Sequence, residues 1–177
     1  TLVDEKRSSD KAYLYVPAAD ADGLDYYRRI TADYPQIELI ELPAPPFSAE
    51  LLAEIDEKPG LLALKYDAQS GEPLPYVVPG GRFNEMYGWD SYFIALGLMV
   101  HDQYDLAKGM VENIAYQIKY YGKMLNANRS YYLTRSQPPF YTALLADFYR
   151  QYESRLSTQW LVEHLAIAID EYETVWM

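Results

Sequence analysis

The sequence contains no cysteine. Disulfides, thiolate nucleophiles and thiolate metal sites are therefore excluded, and no redox compartment is indicated, because a cysteine-free chain suits any of them. Histidine is nearly as scarce: His101 and His164 are the only two. They lie on separate predicted helices, so core or solvent-facing roles are expected of them rather than a shared metal or a triad. Basic residues are outnumbered, 15 against 26 acidic, for a formal charge of −11 at pH 7. A surface of that sign repels nucleic acid and anionic membranes, so neither is expected as a partner. No apolar run approaches the roughly 18 residues of a membrane-spanning helix, and no signal-peptide pattern is visible. The chain opens "TLVDEKRSSD", without Met, which leaves open whether a leader precedes it. GxGxxG and P-loop phosphate cradles, the GxSxG elbow and the D-x-[DN]-x-[DN]-G cation loop are missing as well, and no cofactor or metal is expected.

What is present is a chain of 177 residues, half of them hydrophobic, enough for a domain with a real core. Nineteen of the residues are tyrosine. Tyrosine is apolar on its faces and polar at its tip, which suits cores and interfaces and equally suits a sugar, with its C–H faces and hydroxyl edges.

Residues 1–47 read as a mixed segment. "KRSS" near the start is a solvated tail, "AYLYVPAAD" and "QIELIEL" have the character of short strands, and "ADGLDYYRRITADYP" is a helix begun near Asp22 and stopped before Pro35. Residues 48–177 are helical. Ser48 is a plausible N-cap for "SAELLAEIDEK", whose Leu51, Leu52 and Ile55 share a face. Residues 66–90 form a long loop rich in Pro and Gly, of a length usually reserved for function. A helix near Ser91 to His101 is apolar nearly all round and is expected to be buried. The next runs from Asp105, as N-cap, to Gly122, with Leu106, Met110, Ile114, Ile118 and Tyr121 repeating every three or four residues. A third spans about Pro138 to Tyr152, and a last one starts at Ser157 or Thr158 with Leu161, Leu165, Ile169, Tyr172 and Trp176 along one stripe. That stripe is still running where "ETVWM" ends the sequence, which reads as part of something longer.

Two loops carry the unusual chemistry. In "PGGRFNEMYGWDSYF", residues 79–93, Gly80-Gly81 makes a tight turn before Arg82, and Asp90 stands at the start of a helix beside Trp89. A carboxylate there can cap N–H groups or accept from a ligand, and the indole offers a stacking face. In "NANRSYYLTRSQPPF", residues 126–140, the hydrogen-bonding groups of Asn126, Asn128, Arg129, Arg135, Ser136 and Gln137 crowd together. The guanidinium fork grips several hydroxyls at once, and a carboxamide pairs a donor with an acceptor as a vicinal diol does. Both sets could equally serve helix ends and the core. Glu85 and Asp90 are a further carboxylate pair, the minimum a glycosidase needs, although proximity along one loop does not make them face each other.

At these two segments the sequence resembles the trehalase family of glycoside hydrolases, family 37. "RFNEMYGWDSY" resembles the family's first signature, and "GKMLNANRSYYLTRSQPPF" the block that follows it, in wording nearest the neutral type. The likeness covers roughly residues 73–145. It implies a mainly α fold, part of an (α/α)6 toroid, with residues 48–177 as the N-terminal half of the catalytic domain and 1–47 as a short mixed α/β segment. It implies hydrolysis of α,α-trehalose to two glucoses with inversion. Arg82, Trp89, Asp90, Asn126, Arg135, Ser136 and Gln137 fall on the family's substrate-contacting positions. The family's general acid and base belong to later segments, so no catalytic residue is expected in this chain. The expected partners are a small disaccharide and the remaining half of the same domain, and the neutral wording implies a cytoplasmic protein. Two alternatives stay open: a hydrolase of another small α-glucoside, of the glucosylglycerol or glucosylglycerate type, and a non-catalytic sugar-binding module.

Overall fold

A computed structural model describes residues 10–177, so the "KRSS" reading lies outside the described residues. Strand β1 (Ala12–Pro17), helix α1 (Ala21–Thr31) and strand β2 (Ile37–Leu42) form a βαβ unit in which β1 and β2 run parallel with Ala12 opposite Ile37. Helix α2 (Ala49–Glu57) leads to the two-residue strand β3 (Leu61–Leu62), which joins the other edge of β1, also parallel. The caps are local. The Asp20 carboxylate accepts from the Gly23 amide at 3.3 Å, and Ser48 Oγ accepts from the Leu51 amide at 3.2 Å. Each satisfies one of the amides a helix start leaves orphaned.

Beyond the sheet, β4 (Tyr66–Asp67) and β5 (Glu72–Pro73) make a small antiparallel pair, and the rest of the segment up to Tyr87 is irregular, as its Pro and Gly content predicts. Four long helices follow: α3 (Gly88–Val100), α4 (Tyr104–Tyr121), α5 (Tyr141–Tyr152) and α6 (Thr158–Glu171), the last continued by a π-helical turn over Tyr172–Trp176. Gly122 ends α4 in the left-handed region at φ 87°, which a side chain would resist. Met99, Met110, Ile114, Ile118, Leu144 and Phe148 form the core between the four helices. A second cluster, of Tyr15, Leu42, Ile55 and Leu62 with Tyr116, Tyr121, Leu125 and Leu133, fastens the sheet to α4 and the loop after it. Burying each such side chain contributes about 2 kcal/mol.

Three boundaries and one burial expectation are corrected. Helix α3 starts at Gly88 rather than near Ser91, and only one face of it is buried: Gly88, Ser91, Ala95 and Met99 pack inward while Phe93 and Val100 are 52 and 82 % exposed. Its neighbours α4 and α5 cover that single face. Gln103, whose side chain caps no helix amide and instead donates to the His101 carbonyl at 3.2 Å, occupies the N-cap of α4; Asp105 sits in the first turn, where a negative charge still suits the helix dipole. Helix α5 begins at Tyr141, leaving Pro138 and Pro139 in the preceding loop. On α6 and its π-helical continuation, His164, Ala168 and Glu171 face inward, while Leu165, Ile169, Tyr172 and Trp176 of the apolar stripe lie exposed.

Candidate functional site

The two unusual loops meet. Residues 86–88 and 135–137 lie on either side of residues 124–128, with Tyr87 opposite Ala127 and Leu125 opposite Ser136, both antiparallel. The Gly88 amide donates to the Asn126 carbonyl at 3.2 Å, the Asn126 amide to the Arg135 carbonyl at 3.1 Å, and the Gln137 amide to the Met124 carbonyl at 3.2 Å. A side-chain bond closes the seam: the Trp89 amide donates to Gln137 Oε1 at 2.6 Å. Gln137 thereby satisfies one of the first amides of α3, leaving its NH₂ group as the donor it can offer a ligand. Gly88 permits the approach, since a Cβ there would stand 2.6 Å from the Leu125 carbonyl oxygen and 3.0 Å from Gln137 Oε1.

This irregular three-segment wall brings Trp89, Asp90, Asn126, Arg135, Ser136 and Gln137 together. Arg82 comes from an adjoining turn, in which Gly80 and Phe83 exchange backbone bonds at 3.1 Å. Gly80 and Gly81 hold φ values of 104° and 59°, the tight turn predicted before Arg82. The Arg82 guanidinium lies 4.8 Å from the Phe83 ring centroid, and Phe83 meets Tyr87 edge to face at 5.5 Å, which ties the turn to the wall. Arg82, Trp89, Arg135 and Ser136 are exposed; Asp90, Asn126 and Gln137 are half-buried. The wall is an open face. Of its seven residues only Ser136 lines either of two nearby clefts of about 590 and 690 Å³.

The remaining polar residues of the same segments turn inward and build the support. Arg129 Nε donates to Glu85 Oε1 at 2.9 Å, both side chains being almost fully buried, and the Tyr87 hydroxyl donates to Glu85 Oε2 at 2.9 Å. Burial and the Glu85 carboxylate push the Tyr87 hydroxyl up to about 12, so it stays a donor at neutral pH. Both oxygens of Glu85 are thus engaged, which removes it from a catalytic pair with Asp90. Asn128 Oδ1 accepts from the Met86 amide at 2.9 Å and its Nδ2 donates to the Leu62 carbonyl at 3.3 Å; Ser130 Oγ accepts from the Gly60 amide at 2.9 Å. Asn128 and Arg129, which composition alone grouped with the candidate binding residues, are scaffold.

Three buried tyrosines are structural too. The hydroxyls of Tyr15, Tyr27 and Tyr121 donate to the carbonyls of Lys58, Leu64 and Ala63 at 2.7 to 2.8 Å, pinning the sheet edge and the chain after β3.

A second polar cluster, which the sequence did not reveal, occupies the middle of α4. Glu112 Oε2 accepts from Lys65 Nζ at 2.5 Å and Oε1 from Trp160 Nε1 at 2.7 Å, with His164 Nε2 at 3.4 Å. His164 Nδ1 bonds the Tyr141 hydroxyl at 2.6 Å, so the buried histidine has a core role, while His101 is exposed. Burial alone would raise the Glu112 carboxyl; the His164 hydrogen bond and the Lys65 charge overcome it and hold the group well below the usual carboxylate range. Asn113 Oδ1 takes the Lys65 amide at 2.9 Å, and Gln117 Oε1 the Leu125 amide at 3.3 Å. The signal available in the sequence was Glu112, Asn113 and Gln117 on the same helix as the apolar repeat of Met110, Ile114 and Ile118.

With this geometry established, comparison with known proteins identifies the class. The trehalase family profile matches residues 2–177. The chain is 47 % identical over 174 residues to the cytosolic neutral trehalase of Emericella nidulans, a match covering 93 % of this chain and 23 % of that protein. It is 46 % identical over 175 residues to the cytosolic neutral trehalase of Pyricularia oryzae, covering 93 % and 24 %. Among solved structures it superposes on neutral trehalase Nth1 from Saccharomyces cerevisiae with a TM-score of 0.82 at 40 % identity, over 94 % of this chain and 32 % of that one. The chain belongs to the trehalase family, and its mainly α fold with a small N-terminal sheet is that of the matching part of the yeast structure. It spans about a quarter of the length of the curated relatives it matches.

Proposed function

We propose that this chain is part of a cytoplasmic glycoside hydrolase that cleaves α,α-trehalose to two glucoses with inversion, and that it contributes the N-terminal portion of an (α/α)6 toroid. Its share of the work is binding. Arg82, Asp90, Asn126, Arg135, Ser136 and Gln137 hold the hydroxyls of one glucose, and Trp89 covers a ring face. The observation that carries the reading is the seam itself. Two distant loops are stitched through Gly88, Asn126, Arg135 and Gln137 into one wall that exposes donors, acceptors and an indole on the same segments. The names of the relatives, cytosolic neutral trehalases, support the substrate and the compartment.

An inverting hydrolase needs one carboxylic acid to protonate the glycosidic oxygen and a carboxylate roughly 6.5–9.5 Å away to activate water on the opposite ring face. Glu85, closed off by Arg129 and Tyr87, serves neither role. On this reading the acid, the base and the opposite wall of the pocket belong to the rest of the enzyme. In the full-length enzyme, Arg82→Ala is expected to lower kcat/KM on trehalose roughly 10- to 100-fold, through loss of a charged donor to a sugar hydroxyl. A proton NMR time course should show β-glucose appearing with α-glucose from the first turnover. An unchanged kcat/KM would overturn the site, and α-glucose alone would overturn inversion.

A further inference from the structure

Asn126 is the residue on which the wall is centred, since its amide and its carbonyl join the other two segments. What fixes Asn126 from behind is not in either loop. Glu171, near the end of α6, reaches across and accepts the Met124 amide on Oε1 at 2.7 Å. Gln117, on α4, accepts the next amide, Leu125, on its own Oε1 at 3.3 Å. Both side chains are buried, at 3 and 0 % exposure. Met124 and Leu125 are wholly buried as well, so their amides have no water to turn to. The two acceptors therefore set the height and direction at which the chain leaves Gly122 and enters the wall. The Met124 carbonyl meanwhile receives the Gln137 amide, so a shift at Met124 passes to both Asn126 and Gln137.

We infer that Glu171 and Gln117 are positioning residues for sugar binding: they touch no substrate, and act by holding the Met124–Leu125 backbone so that Asn126 presents its carboxamide correctly. The inference rests on the proposed binding role of Asn126. It assigns α6, whose outward stripe has no part in the wall, an inward function at the site. Burial favours retention of a neutral carboxyl at Glu171, which the structure reflects in a raised tendency to stay protonated, the Met124 amide only partly offsetting it. Neutral or ionised, the group keeps an acceptor oxygen for Met124.

The test is a double-mutant cycle in the full-length enzyme with trehalose as substrate, using Asn126→Ala, Glu171→Met and the pair. Methionine keeps the volume and removes the acceptor. Glu171→Met is expected to raise KM about tenfold with a smaller change in kcat, in keeping with the cost of a displaced binding group. The pair should cost clearly less than the sum of the two single variants, because most of the Glu171 effect passes through the Asn126 carboxamide and only the remainder through Gln137. Glu171→Gln, which keeps an acceptor oxygen, should restore KM to within about twofold of the wild type. If Glu171→Met does not fold, Gln117→Met takes its place in the same cycle. Additive effects, an unchanged KM in the acceptor-free variant, or a KM loss in Glu171→Gln equal to that in Glu171→Met would overturn the positioning role. A KM untouched by Asn126→Ala would instead overturn the binding role of the wall, which keeps the two failures apart.

Discussion

Glu112 on α4 and Glu171 on α6 are both buried carboxylates at which α6 meets the rest of the chain, yet the fold treats them in opposite ways. Glu112 gathers an ammonium, an indole N–H and an imidazole, and is held far below the usual carboxylate range. Glu171 takes the Met124 amide, and burial raises it. Removal from water pushes every carboxyl toward its neutral form; only positively charged or strongly donating neighbours reverse that. One end of α6 is therefore fastened by charge. The other rests on a group that burial penalises, tolerated because it holds a segment of the candidate site.

The comparison can be broken most directly at Glu112. Glu112→Ala strands the Trp160 N–H and leaves Lys65 and His164 without their acceptor, and should destabilise the protein by about 3 kcal/mol. Urea unfolding followed by circular dichroism measures this, and a change below about 1 kcal/mol would mean that the cluster adds nothing beyond an ordinary surface pair.

The pH dependence sharpens the contrast. The folded value of Glu112 is depressed, so its contribution is fully present above the unfolded value near 4.3 and is lost as pH falls through it toward the folded value. The folded value of Glu171 is raised, so the folded state binds more protons there. Stability then declines as pH rises from the unfolded value to the folded one, and the penalty is complete above it. Glu112→Gln should remove part of the acid-side loss, and Glu171→Gln part of the decline above about pH 4.3. Unfolding free energies measured in steps from about pH 3 to pH 8 check both, and parallel curves for the two variants would contradict the assignment.

Lys65→Met is the smallest effect expected. The lysine side chain is 39 % exposed, so its ion pair is screened and its loss should cost about 1 kcal/mol or less. A cost matching that of Glu112→Ala would move the weight of the cluster from His164 and Trp160 to the lysine.

The starts of α2 and α6 and the end of α4 were legible because single residues carry the signal. Ser48 and Ser157 bond the amides of Leu51 and Trp160, and Gly122 takes the left-handed stop. Where a boundary has no such signal, as at Tyr87 before α3, the reading slipped toward the apolar run. The burial of α3 was overestimated because apolar residues on a helix show what could be covered, and this chain covers one side. Six of the seven candidate binding residues were found clustered, since Trp, Arg, Asn and Gln in Pro-Gly loops are a compositional signal. The support was not legible. Glu85 meets Arg129, and Gln117 and Glu171 meet two backbone amides; no spacing rule connects such partners.

That distance along the chain has a consequence for how the molecule assembles. The Trp89 to Gln137 bond joins residues 48 apart, and the Met124 to Glu171 bond residues 47 apart. The α3–α4 hairpin needs only a short loop to close, whereas the wall must wait for three segments and α6 to arrive together. Loop-closure entropy therefore places the wall late on the folding path. A nascent chain is expected to be helical and compact well before the wall is complete.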